Sequence, residues 1–600
     1  MLSYRSFYVP MSITTAAFCI MSNHTFFLGE NMDRFNEIRT RNELADFIKV
    51  PRKKLTYVLY VKKTENLYKS FDIPKKNGGY RQINAPQNDL KQIQKKLEVA
   101  LYNYERQIAQ ENEVNLNISH AFKKGKSFIT NARIHRNKRI VINVDLEKFF
   151  DSFHFGRIRG YFMKNRNYQL SEEVATTISQ IVCFKGKLPQ GAPTSPVITN
   201  MICNIFDMRL LRLAKKYKLD YTRYADDLSF STNASSFLDV QKQFFEELSV
   251  EVVRAGFSIN DKKTKIQYKD SHQEVTGIVV NKKLNVARKY YKETRAMADR
   301  LYKTGEYTID GENKGTINQL EGRFSFINQL DKYNNKIEIG KHQFEYLKGR
   351  EKTYSQFLFY KYFFATEKPL IITEGKTDVL YLKAALKKLW KDYPQLINKN
   401  DKEQFEYMIS FLKKSKRIEY FLNIQIDGAD ALTNILEFYT NTKNPKYPNY
   451  MCKLKELRGE NPANPVILLF DNEFTEKDSP ISKFSRRWLK KEQQEDLKRN
   501  NWIHIKDNLY VAITPLIAGY DLTDMEMLFD EDVQNVEIDG RTLDKTGKKD
   551  KLKYFNKDIF SKYIMKNYDK INFENFKIIL NNIQNIMTLY QKNPNDSGSK

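Results

Sequence analysis

The sequence predicts two folds in tandem: an α+β arrangement over the first half and an α/β arrangement with a parallel sheet over the second. Three observations carry this expectation. The chain of 600 residues is too long for one ordinary core. Its charge is uneven: residues 1–300 hold 51 Lys and Arg against 30 Asp and Glu, whereas residues 301–600 hold 49 against 43. Near residue 367 the apolar rhythm changes, and strands and helices broken by Pro and Gly give way to aliphatic runs alternating with helices, as in a sheet covered on both faces. With 41% hydrophobic and 29% charged residues the composition is that of a globular protein.

Residues 6–29 carry no charged side chain and follow Arg5, as in a signal peptide. Ser, Thr, Asn and His interrupt the apolar run, so neither export nor a membrane span is expected. Residues 1–31 are then an N-terminal extension upstream of a start at Met32. NELADFIKV predicts a helix, FDIPKKNGGYRQINAP a hairpin turning at KKNGG, and LKQIQKKLEVALYNYERQI a basic helix. RIVINVDLEKFFDSF opens on a β-branched run, the mark of a buried strand. In KLPQGAPTSPVITNMICNIF, Pro189, Gly191, Pro193 and Pro196 force a loop before a helix from Val197. YTRYADDLSFS predicts strand, turn and strand, followed by a helix to about Arg254, the segments GFSINDKKTKI and EVTGIVVN, and basic helices over 285–335. A basic aromatic connector is expected over 336–366, and LIIT, FLNIQI, PVILLF and LYVAIT as strands of the parallel sheet. Residues 536–600 are expected as a C-terminal extension ending in the low-complexity tail PNDSGSK. Cys19, Cys183, Cys203 and Cys452 show no C-x-x-C spacing, so a reduced, cytoplasmic protein without a zinc site is expected.

The adjacent Asp226 and Asp227 stand out in a chain of net charge +27. Asp145 ends the run VINV, so all three carboxylates are expected at one end of neighbouring strands. Such a cluster repels itself unless cations neutralise it. Two Mg2+ ions about 3.5–4 Å apart would do so while activating a hydroxyl and stabilising a leaving pyrophosphate. The excess of Lys and Arg in the first half is suited to holding a polyanion.

The order of these motifs over roughly residues 32–335 resembles a reverse transcriptase: VDLEKFFDSF, LPQGAPTSP and YADD match the first catalytic motif, the template and nucleotide loop, and the second catalytic motif. The resemblance implies a right-hand polymerase, with fingers and palm over 32–284 and thumb over 285–335. It implies Asp145, Asp226 and Asp227 as ligands of two Mg2+ ions, Phe150 as the gate against ribose, and Gln190 as a residue positioning nucleotide and template. Arg81 would grip the dNTP triphosphate, Lys263 would act as general acid on pyrophosphate, and EVTGIVVN would form a primer grip in which Gly277 allows close backbone approach. NARIH at 131–135 and VTG at 275–277 fit two signatures of retron reverse transcriptases. Asn131 and His135, one helical turn apart, are expected with Gly277 to contact structured RNA. The family implies a cognate structured noncoding RNA, priming from a guanosine 2′-OH, and branched multicopy single-stranded DNA joined to RNA. A group II intron-like or diversity-generating reverse transcriptase is the alternative.

IITEGKTD and VILLFDNE resemble the acidic strand ends of a Toprim domain, spanning about residues 367–535. The resemblance implies Glu374, Asp471 and Glu473 as ligands of one or two Mg2+ ions, with Mn2+ an acceptable substitute. Asp378 and Glu526 are further candidate ligands, and Lys376 a phosphate contact. Glu473 stands where the family has Asp. A metal-dependent nuclease acting on RNA or DNA is expected, restrained by the DNA product in anti-phage defence. A nucleoprotein scaffold with an inactive Toprim domain is the non-enzymatic alternative. No membrane partner is expected, and a homo-oligomer is compatible with the sequence.

Overall fold

A computed structural model describes residues 32–75, 78–111, 118–335, 347–426, 432–440, 447–544, 550 and 553–592. The N-terminal extension, residues 76–77 of the KKNGG turn, residues 336–346 of the connector and the PNDSGSK tail lie outside them. The chain divides into two compact units, one made of residues up to 291 with 329–335, the other of 292–328 with 336 onward.

In the first unit, β1 (Tyr68–Pro74) and β2 (Tyr80–Pro86) form an antiparallel hairpin with Ile73 opposite Arg81. Helix α1 (Asn88–Glu111) follows, burying Leu90, Ile93, Leu97 and Leu101 at helical spacing. Helix α2 (Phe128–Ile134) starts where the Ser127 side chain caps the Thr130 N–H. The central sheet is antiparallel, in the order β4-β5-β3-β6. Its strands are β3 (Ile140–Asp145), β4 (Asp220–Tyr224), β5 (Asp227–Thr232) and β6 (Lys265–Tyr268). Helix α3 (Ser195–Lys216) packs against β4 and against α4 (Phe237–Arg254). It begins before Val197 because Pro196 fits the first turn, where no N–H is needed. Strands β7 (Glu274–Val275) and β8 (Ile278–Val279) form a tight hairpin against α2.

The second unit holds a five-stranded sheet in which β9 (Leu370–Thr373), β10 (Ser410–Phe411), β11 (Val466–Phe470) and β13 (Leu509–Ile513) run parallel, with β12 (Trp502–Lys506) antiparallel at the edge. FLNIQI is not a strand: Ser415 caps a helix over Lys416–Leu422, and Asn423 ends it in the left-handed conformation at φ 52°. Alternate residues of the sheet feed two cores. Leu370, Ile372, Leu468 and Val511 pack with Tyr354, Phe357 and Phe359 of α5 (Gly349–Phe359). The aromatics read as a connector are core because their spacing places them on buried positions of a helix. Leu301, Tyr302, Leu320 and Phe324, from the segment expected as thumb, belong to the same core. Ile371, Ile467 and Leu469 pack with α6 (Asp378–Lys388), α7 (Lys557–Lys566) and α8 (Lys577–Lys592). Residues beyond 535 thus cover one face of the sheet through Phe560, Ile564, Ile579 and Ile583. Among the described residues no helix is long and apolar enough to cross a membrane.

Candidate active site and a second acid cluster

Strand register brings the first-half acids together. Asp145, the last residue of β3, lies opposite Asp227, the first of β5, and the Leu146 N–H donates to the Asp226 carbonyl at 3.0 Å. Asp226 occupies the turn between β4 and β5, after Ala225 at φ 57°. Burial raises the Asp226 pKa and Asp145 adds to the rise, while Arg81 and Lys263 oppose it. Burial, then Asp226 and Asp145, push Asp227 up to about 7.

The expected three-carboxylate cage is not assembled. The Lys263 ammonium donates to both oxygens of Asp145 at 3.0 and 3.1 Å, and the Asn260 amide donates to one of them at 3.0 Å. Among the described residues no three Asp, Glu, His or Cys side chains stand in an arrangement that could hold a metal ion. The donor chemistry nevertheless fits a hard cation, because the oxygens belong to carboxylates and the charges of Asp145 and Asp226 raise the pKa of their neighbours. The Lys263 side chain is 57% exposed, so it can leave Asp145 for solvent at small cost.

Three other predicted residues lie in the same unit, and one of them acts on the site. Arg81 is exposed on β2, yet its charge is felt at Asp226. The Gln190 carbonyl accepts from the Asn84 N–H of β2 at 2.8 Å. A Cβ on Gly191, at φ +118°, would stand 2.7 Å from Ile83 Cγ2, so only glycine lets the loop lie against that strand. Phe150 is half-buried in a short 3-10 turn, its ring edge-on to Phe149 at 5.5 Å.

Sequence reasoning missed the clamp behind the turn. Arg223, fully buried, donates from Nε and Nη2 to the two oxygens of Asp207 on α3, each at 2.7 Å, and from Nη1 to the Ala225 carbonyl at 3.2 Å. An arginine just before YADD was its only signal. Asn260 was missed as well.

The RNA-contact expectations need correction. Asn131 and His135 are both 0% exposed, because the face of α2 they share is turned inward. Gly277 has open space beside it, since a Cβ there would meet nothing within 4 Å. Its φ of +80°, following Thr276 at 46°, meets the demand of a two-residue turn with both central residues left-handed.

In the second unit, β9 and β11 run parallel with Thr373 beside Leu469, so Glu374 and Asp471 emerge at the same sheet end. The Asp471 N–H donates to Glu374 Oε1 at 3.0 Å. Asp378, at the start of α6, accepts the Gly375 N–H at 2.8 Å, and a Cβ on Gly375 would lie 2.9 Å from its carboxylate. Asp378 and Glu526 are buried, not on solvated helix faces. Burial, then Glu473 and Asp378, push Glu374 up to about 8. Burial raises Asp471 further, with Asp378, Glu374, Asp524 and Glu526 adding to the rise. Glu473 is raised by burial and then by Glu476 and Asp524. Glu526 is pushed up to about 7 by burial, against the pull of Lys557. Lys557 on α7 donates to Glu526 at 2.8 Å and lies 3.6 Å from Asp524. Asp524 and Lys557 were not foreseen; Asp524-x-Glu526 repeats the spacing of Asp471-x-Glu473, whereas Lys557 carried no signal. Lys376 lies outside this group, paired with Asp558 at 3.0 Å.

Residues 73–280 match the family model for reverse transcriptase (RNA-dependent DNA polymerase). The retron Ec86 reverse transcriptase of Escherichia coli is 32% identical over 238 residues, covering 39% of this chain and 68% of that protein. The chain belongs to the retron reverse transcriptase family. Two Myxococcus xanthus members of the family, the retron Mx162 and Mx65 reverse transcriptases, are 32% and 33% identical over 328 and 245 residues. These alignments cover 49% and 38% of this chain and 64% and 55% of the two proteins, so the chain spans a little over half the length of each. The family match contains Asp145, Asp226 and Asp227 and ends before the acids of the second unit.

Proposed function

We propose that the first unit is an RNA-directed DNA polymerase that copies a cognate structured noncoding RNA into branched multicopy single-stranded DNA, primed from a guanosine 2′-OH. The observation that carries this reading is the register of Asp145 against Asp227 beside Asp226, with the Arg81 charge felt at the same point. Mg2+ bound there would activate the attacking hydroxyl and neutralise the departing pyrophosphate. Arg81 grips the triphosphate of the incoming dNTP with its planar fork. Asp145, Asp226 and Asp227 would hold the metal, and Lys263, once released from Asp145, would donate a proton to pyrophosphate. Phe150 faces the sugar and Gln190 holds the nucleotide against the template. Primer extension by the full chain on RNA, compared with an Asp226→Asn variant, tests the chemistry. Sequencing DNA that copurifies with the protein tests the retron product: a short, unique DNA joined to RNA supports it, and random DNA or none refutes it.

The second unit, on this proposal, is a Toprim-type metal-dependent nuclease acting on RNA or DNA, with Glu374, Asp471 and Glu473 as the main ligands and Asp378 and Glu526 adding to them. The DNA made by the first unit restrains it as an anti-phage effector. Support comes from two parallel strands ending in acids whose pKa values burial and mutual repulsion raise. Lys557 favours a second reading, a scaffold whose acids the protein neutralises itself. Mg2+- or Mn2+-dependent cleavage by the protein stripped of nucleic acid, lost in Glu374→Ala, decides between them.

A further inference from the structure

We infer that His135 is a positioning residue for the aspartates of the polymerase site, acting through Thr222 and Ser231 and making no contact with RNA. This rests on the polymerase reading of the first unit. The imidazole is fully buried, with Nε2 2.7 Å from Thr222 Oγ1 and Nδ1 2.8 Å from Ser231 Oγ. Both ring nitrogens are therefore used inside the protein. Burial pushes its pKa down to about 3, so near neutral pH the ring is uncharged, with one nitrogen donating and the other accepting.

The two hydroxyls lie on the two strands that flank the turn. Thr222 on β4 precedes Asp226 by four residues, and Ser231 on β5 follows Asp227 by four. Thr222 pairs with Ser229 in the strand register, so Thr222, Ser229, Ser231 and Asp227 share one face of the sheet. Asp145 and Asn143 of β3, opposite Asp227 and Ser229, lie on that face too. The Ser229 hydroxyl donates to Asn143 Oδ1 at 3.1 Å, and Asn143 Nδ2 donates to the Glu274 carbonyl of β7 at 2.7 Å. The NARIH helix and the VTG hairpin, packed on each other, thus back the sheet face whose end carries Asp145 and Asp227. β4 is an edge strand of the sheet, with β5 its only neighbouring strand, so the turn that follows it is fixed only as well as β4 is held. His135 ties both strands, bridging diagonally from Thr222 on β4 to Ser231 on β5. That steadies the turn carrying Asp226, while register with β3 holds Asp227 opposite Asp145.

A histidine that merely fills the core would affect folding alone, and an RNA contact would affect binding of structured RNA alone. The test is single-turnover addition of one dNTP by the full chain to a DNA primer annealed to an unstructured RNA template. His135→Ala is expected to slow addition ~10–100-fold with the half-saturating dNTP concentration unchanged. His135→Gln, whose amide offers one donor and one acceptor, is expected to recover part of the rate. Thr222→Val is expected to slow addition on its own, and the double variant with His135→Ala to be no slower than the slower single variant. Melting temperatures of all variants, with the milder Ser231→Ala included, separate slowed chemistry from lost fold. An unchanged rate in His135→Ala with weakened binding of structured RNA overturns the inference. Rates that fall only as far as the folded fraction falls, or additive effects in the double variant, also overturn it. A wild-type chain that adds no nucleotide would instead remove the polymerase reading and this inference with it.

Discussion

On the antiparallel sheet Asp145 and Asp227 face each other through strand register, whereas Glu374 and Asp471 meet because parallel strands β9 and β11 end at one level. At each site a lysine of the protein pairs with an acid, and the two lysines differ. Lys263 comes from a loop and is 57% exposed; Lys557 comes from a core helix, is 37% exposed, and pairs with Glu526, itself only 1% exposed. A cation held on a loop exchanges for metal at the cost of an exposed pair. One tied to a buried carboxylate leaves an uncompensated charge when it moves. The first site should therefore accept divalent metal more readily than the second.

The largest effect expected is on chemistry, and it tests whether the sites are separate. Asp226→Asn should reduce primer extension by on the order of 10²–10³-fold or more, and Glu374→Ala should leave extension unchanged while abolishing cleavage and toxicity. Loss of extension in Glu374→Ala, or toxicity that persists in Glu374→Ala when the DNA product is destroyed, would break the division of labour.

Next comes stability. Arg223→Leu leaves Asp207 buried without its partner and should cost about 3–5 kcal/mol, whereas Lys263→Ala, which removes a largely exposed ammonium, should cost about 0–1 kcal/mol. Denaturant unfolding of the two variants would show whether the buried clamp or the exposed pair holds the fold.

A subtler contrast is the response to pH. The raised pKa values of Asp227, Glu374 and Glu526, about 7, 8 and 7, mean that the folded chain keeps protons the unfolded chain has lost. Their contribution is full below the ordinary carboxylate range and is lost as pH rises through about 7–8. Mg2+ must displace those protons, so the melting temperature should rise more on adding Mg2+ at about pH 8.5 than at about pH 6. An equal rise at both values would show that these acids do not bind the metal. The smallest effect is local: Gly277→Ala should cost about 1 kcal/mol from its left-handed φ alone, with no clash, measured as a shift in the unfolding midpoint.

Much of this was legible in the chain. VINVD and RYADDLSFS announced their strands because β-branched runs and a double-acid turn are local signals, and LIITEG and VILLFDNE placed acids at strand ends for the same reason. FLNIQI misled because hydrophobicity cannot separate a short buried strand from the end of a helix, and Ser415 and Asn423 decided the matter. NARIH gave its helix and its shared face, but which way that face turned depended on the sheet beneath it.

By itself the sequence determined most of the strands and turns, the family, and the acids at the strand ends of both units, since each is encoded in a short run of residues. Only the tertiary structure decided that Lys263 and Lys557 answer those acids, that Arg223 clamps the turn, and that His135 looks inward. Such pairings join segments far apart in the chain, and they form because a charge or polar group carried into the interior must find its partner there or not be buried at all.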